Sequence, residues 1–160
     1  MLARILFGAV IVGILLTGAA RAQQRAPTPQ EINRIEALVT KAAALVESKG
    51  KQAAFAEFGK RDSEWWHDDT YLFAYDMNGN VLLNPAARRR VGTNPTAEKD
   101  ANGKAFHHAL IEMGRVNGSG WVDYLIARPG KPKPSPKWSY VKAVKFDGVP
   151  GVIGAGFYLD

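Results

Sequence analysis

Three histidines are the first residues to weigh for chemistry, because His67 stands beside Asp68 and Asp69, and His107 beside His108. A zinc site needs three or four converging ligands. Adjacent residues on a helix point about 100° apart, so His107 and His108 do not converge on one ion. No His-x-x-x-His spacing is present, and Asp68-Asp69 reads better as a turn or cap ahead of a strand. Cysteine is absent, which excludes a thiol nucleophile, a thiolate metal site and a disulfide framework. Gly118-Ser119-Gly120 lacks the Gly-x-Ser-x-Gly form of a nucleophile elbow, and its glycines suit a strand entry with unusual backbone angles. The expectation is no catalytic residue, no metal and no cofactor: not an enzyme. A small metal-dependent hydrolase is an alternative that rests on the histidines alone.

The chain does carry aromatic and polar side chains at strand spacing. Tyr71, Phe73 and Tyr75 alternate and so share one face. Tyr124 and Tyr140 bring hydroxyls on later strands, Lys137 stands beside Trp138, and Trp65-Trp66 precede the first strand. Taken singly, each aromatic serves equally well as core, and a lysine belongs by default to the surface. Gly154 and Gly156 alternate near the end of the chain, which suits close approach of another element or of a ligand.

The elements that must position these residues follow from periodicity. Thr28-Pro29-Gln30-Glu31 carries an N-cap, a proline at the first helical position and a capping-box acid. Ile32, Ile35, Leu38, Val39, Ala42, Leu45 and Val46 continue it as one apolar stripe to about Gly50. A shorter helix follows over 51–58. The period then changes to strands at 70–75 and 80–83, joined by the turn Asp76-Met77-Asn78-Gly79. Residues 86–102 read as a polar loop long enough to bind something, and Arg88-Arg89-Arg90 within it as a solvated basic run. A helix is predicted from Lys104, then strands at 121–127, 138–146 and 152–159, with a Pro/Lys connection over 129–136. Five antiparallel strands with helices gathered on one side make an α+β domain.

The first 22 residues have the form of an export signal. Arg4 is the positive start, 5–16 is almost wholly apolar, and Ala20-Arg21-Ala22 offers small residues for cleavage after Ala22. The apolar run is shorter than the roughly 20 residues a membrane-spanning helix needs. The expected location is periplasmic or secreted, with an uncleaved membrane tether as the alternative. Losing Arg4 and Arg21 takes the formal charge from +6 to +4, compatible with a small anion, and an exported protein is a poor partner for nucleic acid. The mature chain then divides into a leader, 23–28, and one domain, 29–160.

Short blocks in this domain resemble, in order and spacing, a single Cache domain, the PAS-like extracytoplasmic sensor of bacterial chemoreceptors and histidine kinases. They are Tyr71-Leu72-Phe73-Ala74-Tyr75-Asp76-Met77-Asn78-Gly79, Leu83-Asn84-Pro85, Gly92-Thr93-Asn94 with Lys99-Asp100-Ala101-Asn102-Gly103, Gly118-Ser119-Gly120-Trp121-Val122-Asp123-Tyr124, Lys137-Trp138-Ser139-Tyr140-Val141 and Gly154-Ala155-Gly156-Phe157-Tyr158. The resemblance implies a PAS-like five-stranded antiparallel sheet with a long N-terminal helix and a middle helix packed on it. It also implies a pocket for a short organic acid or amino acid. For a carboxylate, Lys137 would supply the cation, Tyr71, Phe73, Tyr75, Tyr124 and Tyr140 the wall and donors, and Trp65 a lid. Asn84 stands where the family often has His. No output module follows the last strand in this sequence, so the expectation is a stand-alone sensor, monomer or weak dimer. The alternative is a module that docks on a membrane receptor or histidine kinase. Mass spectrometry of the exported protein is expected to find Gln23 at the N-terminus; Met1 there would overturn cleavage.

Overall fold

The computed structural model describes residues 25–159; the leader, its cleavage after Ala22, and Asp160 lie outside the described residues. Helix α1 spans Pro29–Lys49 and starts as its sequence demands. The Thr28 hydroxyl accepts from the Glu31 backbone, and the Glu31 carboxylate accepts from the Thr28 N–H at 2.9 Å. Ile35, Val39, Ala42, Ala43 and Val46 are buried along one stripe. Gly50, at φ 79°, turns the chain into α2, Lys51–Phe58. Asp147, in the turn between the last two strands, accepts from the Lys51 N–H at 2.9 Å and so places a negative charge at the start of α2.

A small hairpin, β1 (Trp66–His67) and β2 (Thr70–Tyr71), precedes the main sheet, with Asp68 at φ 50° in its turn. The strand expected over 70–75 is thus divided at Leu72. Strand β3, Phe73–Asp76, returns as β4, Val81–Leu83, around a turn held by the Asp76 carboxylate, which accepts from the Asn78 and Asn80 N–H groups. Asn84 caps two short 3-10 turns over Pro85–Arg90, kinked at Ala87, where a loop was expected; its side-chain oxygen accepts from the Ala87 N–H, and Pro85 opens the first turn. Helix α3 spans Phe106–Asn117. It begins two residues after Lys104, because the Lys104 N–H is held outside the helix by Asp100.

Strands β5 (Ser119–Ala127), β6 (Pro134–Phe146) and β7 (Val149–Tyr158) complete an antiparallel sheet in the order β4-β3-β7-β6-β5. β6 begins within the stretch expected to be a Pro/Lys connection. Pro136 lies opposite Leu125, whose N–H turns outward to Asp100, so that pair asks no donor of the proline.

The helices do not gather on one side. Leu72, Ala74, Val144, Phe146, Ile153, Ala155 and Phe157 face α1 and α2, whereas Phe73, Tyr75, Val122, Val141 and Val152 face α3. Strand periodicity says which residues share a face, but not which helix covers it. Gly154 and Gly156 lie on the α3 face, and what approaches them is protein. A Cβ on Gly154 would sit 2.7 Å from both the Phe73 ring and Val141 Cγ1, and one on Gly156 would strike Ser139 and the Trp138 carbonyl. Gly154→Ala is therefore expected to cost about 1–3 kcal/mol through overpacking. Thermal denaturation should read this as a fall of several degrees, and an unchanged midpoint would contradict the packing.

Candidate ligand-binding site

The α3 face of the sheet is not fully covered by α3. Beyond its N-terminus, a cavity of about 510 Å3 opens between the strands and the segment that runs from Asn84 to α3. Tyr71, Tyr75 and Tyr124 supply its sheet-side wall, Phe106 and His107 come from the first turn of α3, and Asn84, Arg90 and Glu98 come from the 3-10 turn and the following loop. Arg128 and Lys131 stand on the β5–β6 connection at its rim.

The wall is rigid because its rings are paired. Phe106 stacks on Tyr124 with ring centroids 4.4 Å apart and 6° between planes. The Tyr124 hydroxyl is within 2.8 Å of Ser139 Oγ, and the Tyr75 hydroxyl within 2.7 Å of His107 Nδ1. Burial pushes the Tyr75 and Tyr124 phenols above their ordinary range, so both remain protonated at neutral pH. Burial, reinforced by the nearby Arg90 charge and opposed by Glu98, pulls His107 down to about 4. The imidazole is thus neutral at neutral pH.

The charges are arranged in pairs. Arg90 donates to Glu98 Oε2 at 2.6 Å, and the same carboxylate oxygen lies 3.9 Å from His107 Nε2. Arg90 Nε is buried with no hydrogen-bond partner among the described residues, a costly state for a charged donor that a ligand acceptor would relieve. Arg128 donates to Asp69 at 2.7 Å and lies 4.5 Å above the Tyr158 ring. Lys137, almost wholly buried, holds its amino group 4.2 Å from the Tyr71 ring centre and 4.9 Å from that of Tyr158. Cation–π contact replaces part of its lost hydration.

Of the eight residues singled out from the sequence, Tyr71, Tyr75, Asn84 and Tyr124 line the cavity. Lys137 lies behind Tyr71 and is not part of the wall, and Phe73 sits beside Tyr75, its ring centre 5.8 Å away, as core. Trp65 and Tyr140 are on the other face and are not brought to the cavity. Trp65 packs on Phe58 with 4.9 Å between rings, and Tyr140 on Trp121 with 5.4 Å. The reason for Tyr140 is parity: it lies three positions after Lys137 on one strand, an odd step, so the two face opposite ways. Trp65, read as a lid, precedes the β1–β2 hairpin and folds under α1. Arg90, Glu98, His107 and Arg128 were missed. Arg90 was hidden in a basic run, and His107 had been weighed only as a metal ligand. Among the described residues no three His, Asp or Glu side chains gather to hold a metal ion, and His67 is exposed beside Asp68.

The buried neutral imidazole gives a pH signature. Unfolded, His107 titrates near 6.5; folded, near 4. Between these values the unfolded chain binds more protons, so the His107 contribution is fully present above about 6.5 and is lost as pH falls through 4. It amounts to about 3 kcal/mol. Melting temperature is expected to fall over this range more steeply than in His107→Gln; parallel curves would refute the assignment.

Comparison with known proteins bears on the family and the fold. The family model for single Cache domain 2 matches residues 19–160. The chain is 30% identical over 94 residues to the methyl-accepting chemotaxis protein McpP of Pseudomonas putida, covering 59% of this chain and 17% of that protein. It is 33% identical over 92 residues to the sensor histidine kinase MctS of Rhizobium johnstonii, covering 58% of this chain and 19% of the kinase. The matched part is therefore less than a fifth of either relative. A solved Cache chemosensory domain, described as recognising carboxylic acid, superposes with a TM-score of 0.65 at 21% identity over 82% of this chain and 92% of that one, which shows a shared fold. No helix among the described residues is long and apolar enough to cross a membrane. The chain therefore belongs to the single Cache domains, the extracytoplasmic sensors of chemoreceptors and histidine kinases.

Proposed function

We propose that this domain is an exported sensor, freed from its leader after Ala22, that binds a short carboxylate in the cavity on the α3 face. The observation that carries the reading is Arg90: a guanidinium at the cavity wall whose buried Nε has no partner among the described residues. A carboxylate accepts two parallel hydrogen bonds from such a fork. Tyr75, Tyr71 and Asn84 line the same cavity. Asn84 has its oxygen committed to the Ala87 N–H, so its NH2 group is the part left to donate. Phe106 and the face of Tyr124 take the apolar remainder of the ligand. Lys137 contributes from behind Tyr71 as a fixed positive charge, not as a contact. The carboxylic-acid recognition described for the superposable Cache domain supports this choice of ligand class. The domain would pass its signal to a membrane receptor or histidine kinase.

Calorimetric titration of residues 23–160 with acetate, propionate and pyruvate tests the reading. Loss of a charge-assisted hydrogen-bond pair costs about 1.5–3 kcal/mol, so Arg90→Ala should weaken binding roughly ten- to hundred-fold. Tyr140→Phe, on the far face, should leave affinity unchanged. Binding that survives Arg90→Ala intact would remove the site.

A further inference from the structure

Arg90, Glu98 and His107 form a cluster whose charge is already balanced before any ligand arrives. Arg90 is matched by Glu98 at 2.6 Å, and His107 is neutral beside them. A carboxylate placed against Arg90 brings a second negative charge next to the first, in a partly enclosed space where like charges repel strongly. The cluster then lacks one positive charge.

We propose that carboxylate binding in this cavity is coupled to uptake of one proton by His107. The inference rests on the carboxylate reading above and says how that site is regulated. The partners of the ring assign its tautomer in the free state. Nε2 faces the Glu98 carboxylate at 3.9 Å and carries the hydrogen, while Nδ1 accepts from the Tyr75 hydroxyl at 2.7 Å. A proton from solvent adds to Nδ1. That nitrogen then donates to the Tyr75 oxygen, and the phenolic hydrogen turns away from the ring toward the cavity, where the ligand oxygen lies. One proton therefore supplies both the missing charge and a new donor to the ligand. Nε2–H meanwhile points at Glu98, so the imidazolium and Arg90 share two carboxylates between them. The groups that face the imidazole are Tyr75 from β3, Arg90 from the 3-10 turn and Glu98 from the loop. Tyr71 and Tyr124 line the same cavity, and Phe106 and His107 are in ring contact on α3.

Pyruvate is the probe, since its carboxyl stays ionised across the range used. At about pH 5.5 its binding heat is measured in two non-carboxylate buffers of different protonation enthalpy, and its affinity is compared with that at neutral pH. The expected result is a buffer-dependent heat equal to uptake of more than half a proton, with affinity roughly three-fold higher at the lower pH. Glu98→Gln, an exposed position, removes the competing charge and should bind more tightly at neutral pH with uptake largely lost. His107→Gln should bind with no uptake. Heats that do not depend on buffer while pyruvate binds, or uptake that persists in either variant, overturn the linkage alone. Absence of binding for pyruvate, acetate and propionate alike defeats the carboxylate reading and the linkage with it.

Discussion

Strand β7 is last in sequence but central in the sheet, hydrogen-bonded to β3 on one side and β6 on the other. It is buried on both faces from Gly151 to Tyr158. Its two faces meet incompatible demands. Toward α1 it presents Ile153, Ala155 and Phe157, which fill the larger core. Toward α3 it presents Val152, Gly154 and Gly156, and the last two must lack side chains because Phe73, Val141 and Ser139 already occupy that space. Everything else in the fold answers to this strand. α1 can pack only because one face is bulky. The aromatic wall can lie flat on the sheet only because the other is bare.

At its end β7 offers Tyr158, and the cross-strand pair with Lys137 places a lysine under the aromatic wall. A buried amino group is costly unless its charge is compensated. The compensation among the described residues is two ring faces, Tyr71 and Tyr158, of which Tyr71 also lines the cavity. The same Tyr158 ring carries Arg128 on its face, so one phenol organises two cations at the rim and floor of the site.

Much of this was legible in the sequence, and the residues show where legibility stopped. The capping box, the α1 stripe, the Asp76-Gly79 turn and the three C-terminal strands follow from local chemistry and periodicity, which is why they stand almost as read. The hairpin of β1 and β2 has strands of two residues, too short for any period to register. The start of β6 was masked by prolines whose missing donors the pairing with β5 does not need. Helix layering was illegible because alternation defines two faces without saying what covers each. For the site, Tyr71, Tyr75 and Tyr124 could be found from strand parity and the family blocks. The same parity, applied to Lys137 and Tyr140, separates them. Arg90 and His107 acquire meaning only through tertiary contacts: the burial that neutralises one and strips a partner from the other has no local signature.

The paired charges also bear on selectivity. Arg90 is matched by Glu98 and Arg128 by Asp69, so these two cations of the cavity wall stand beside their own acids. A surplus of positive charge would draw any anion, whereas a paired site gives a simple ion little to gain. A ligand must instead repay the disturbance of an existing ion pair. On the proposed reading, a ligand whose acceptors take the Arg90 fork, the Tyr75 hydroxyl and the Asn84 amide together would do so. Discrimination then lies in the geometry of acceptors and in the apolar fit against Phe106, not in net charge. The formal surplus of +6 over the whole chain therefore says little about what the cavity selects.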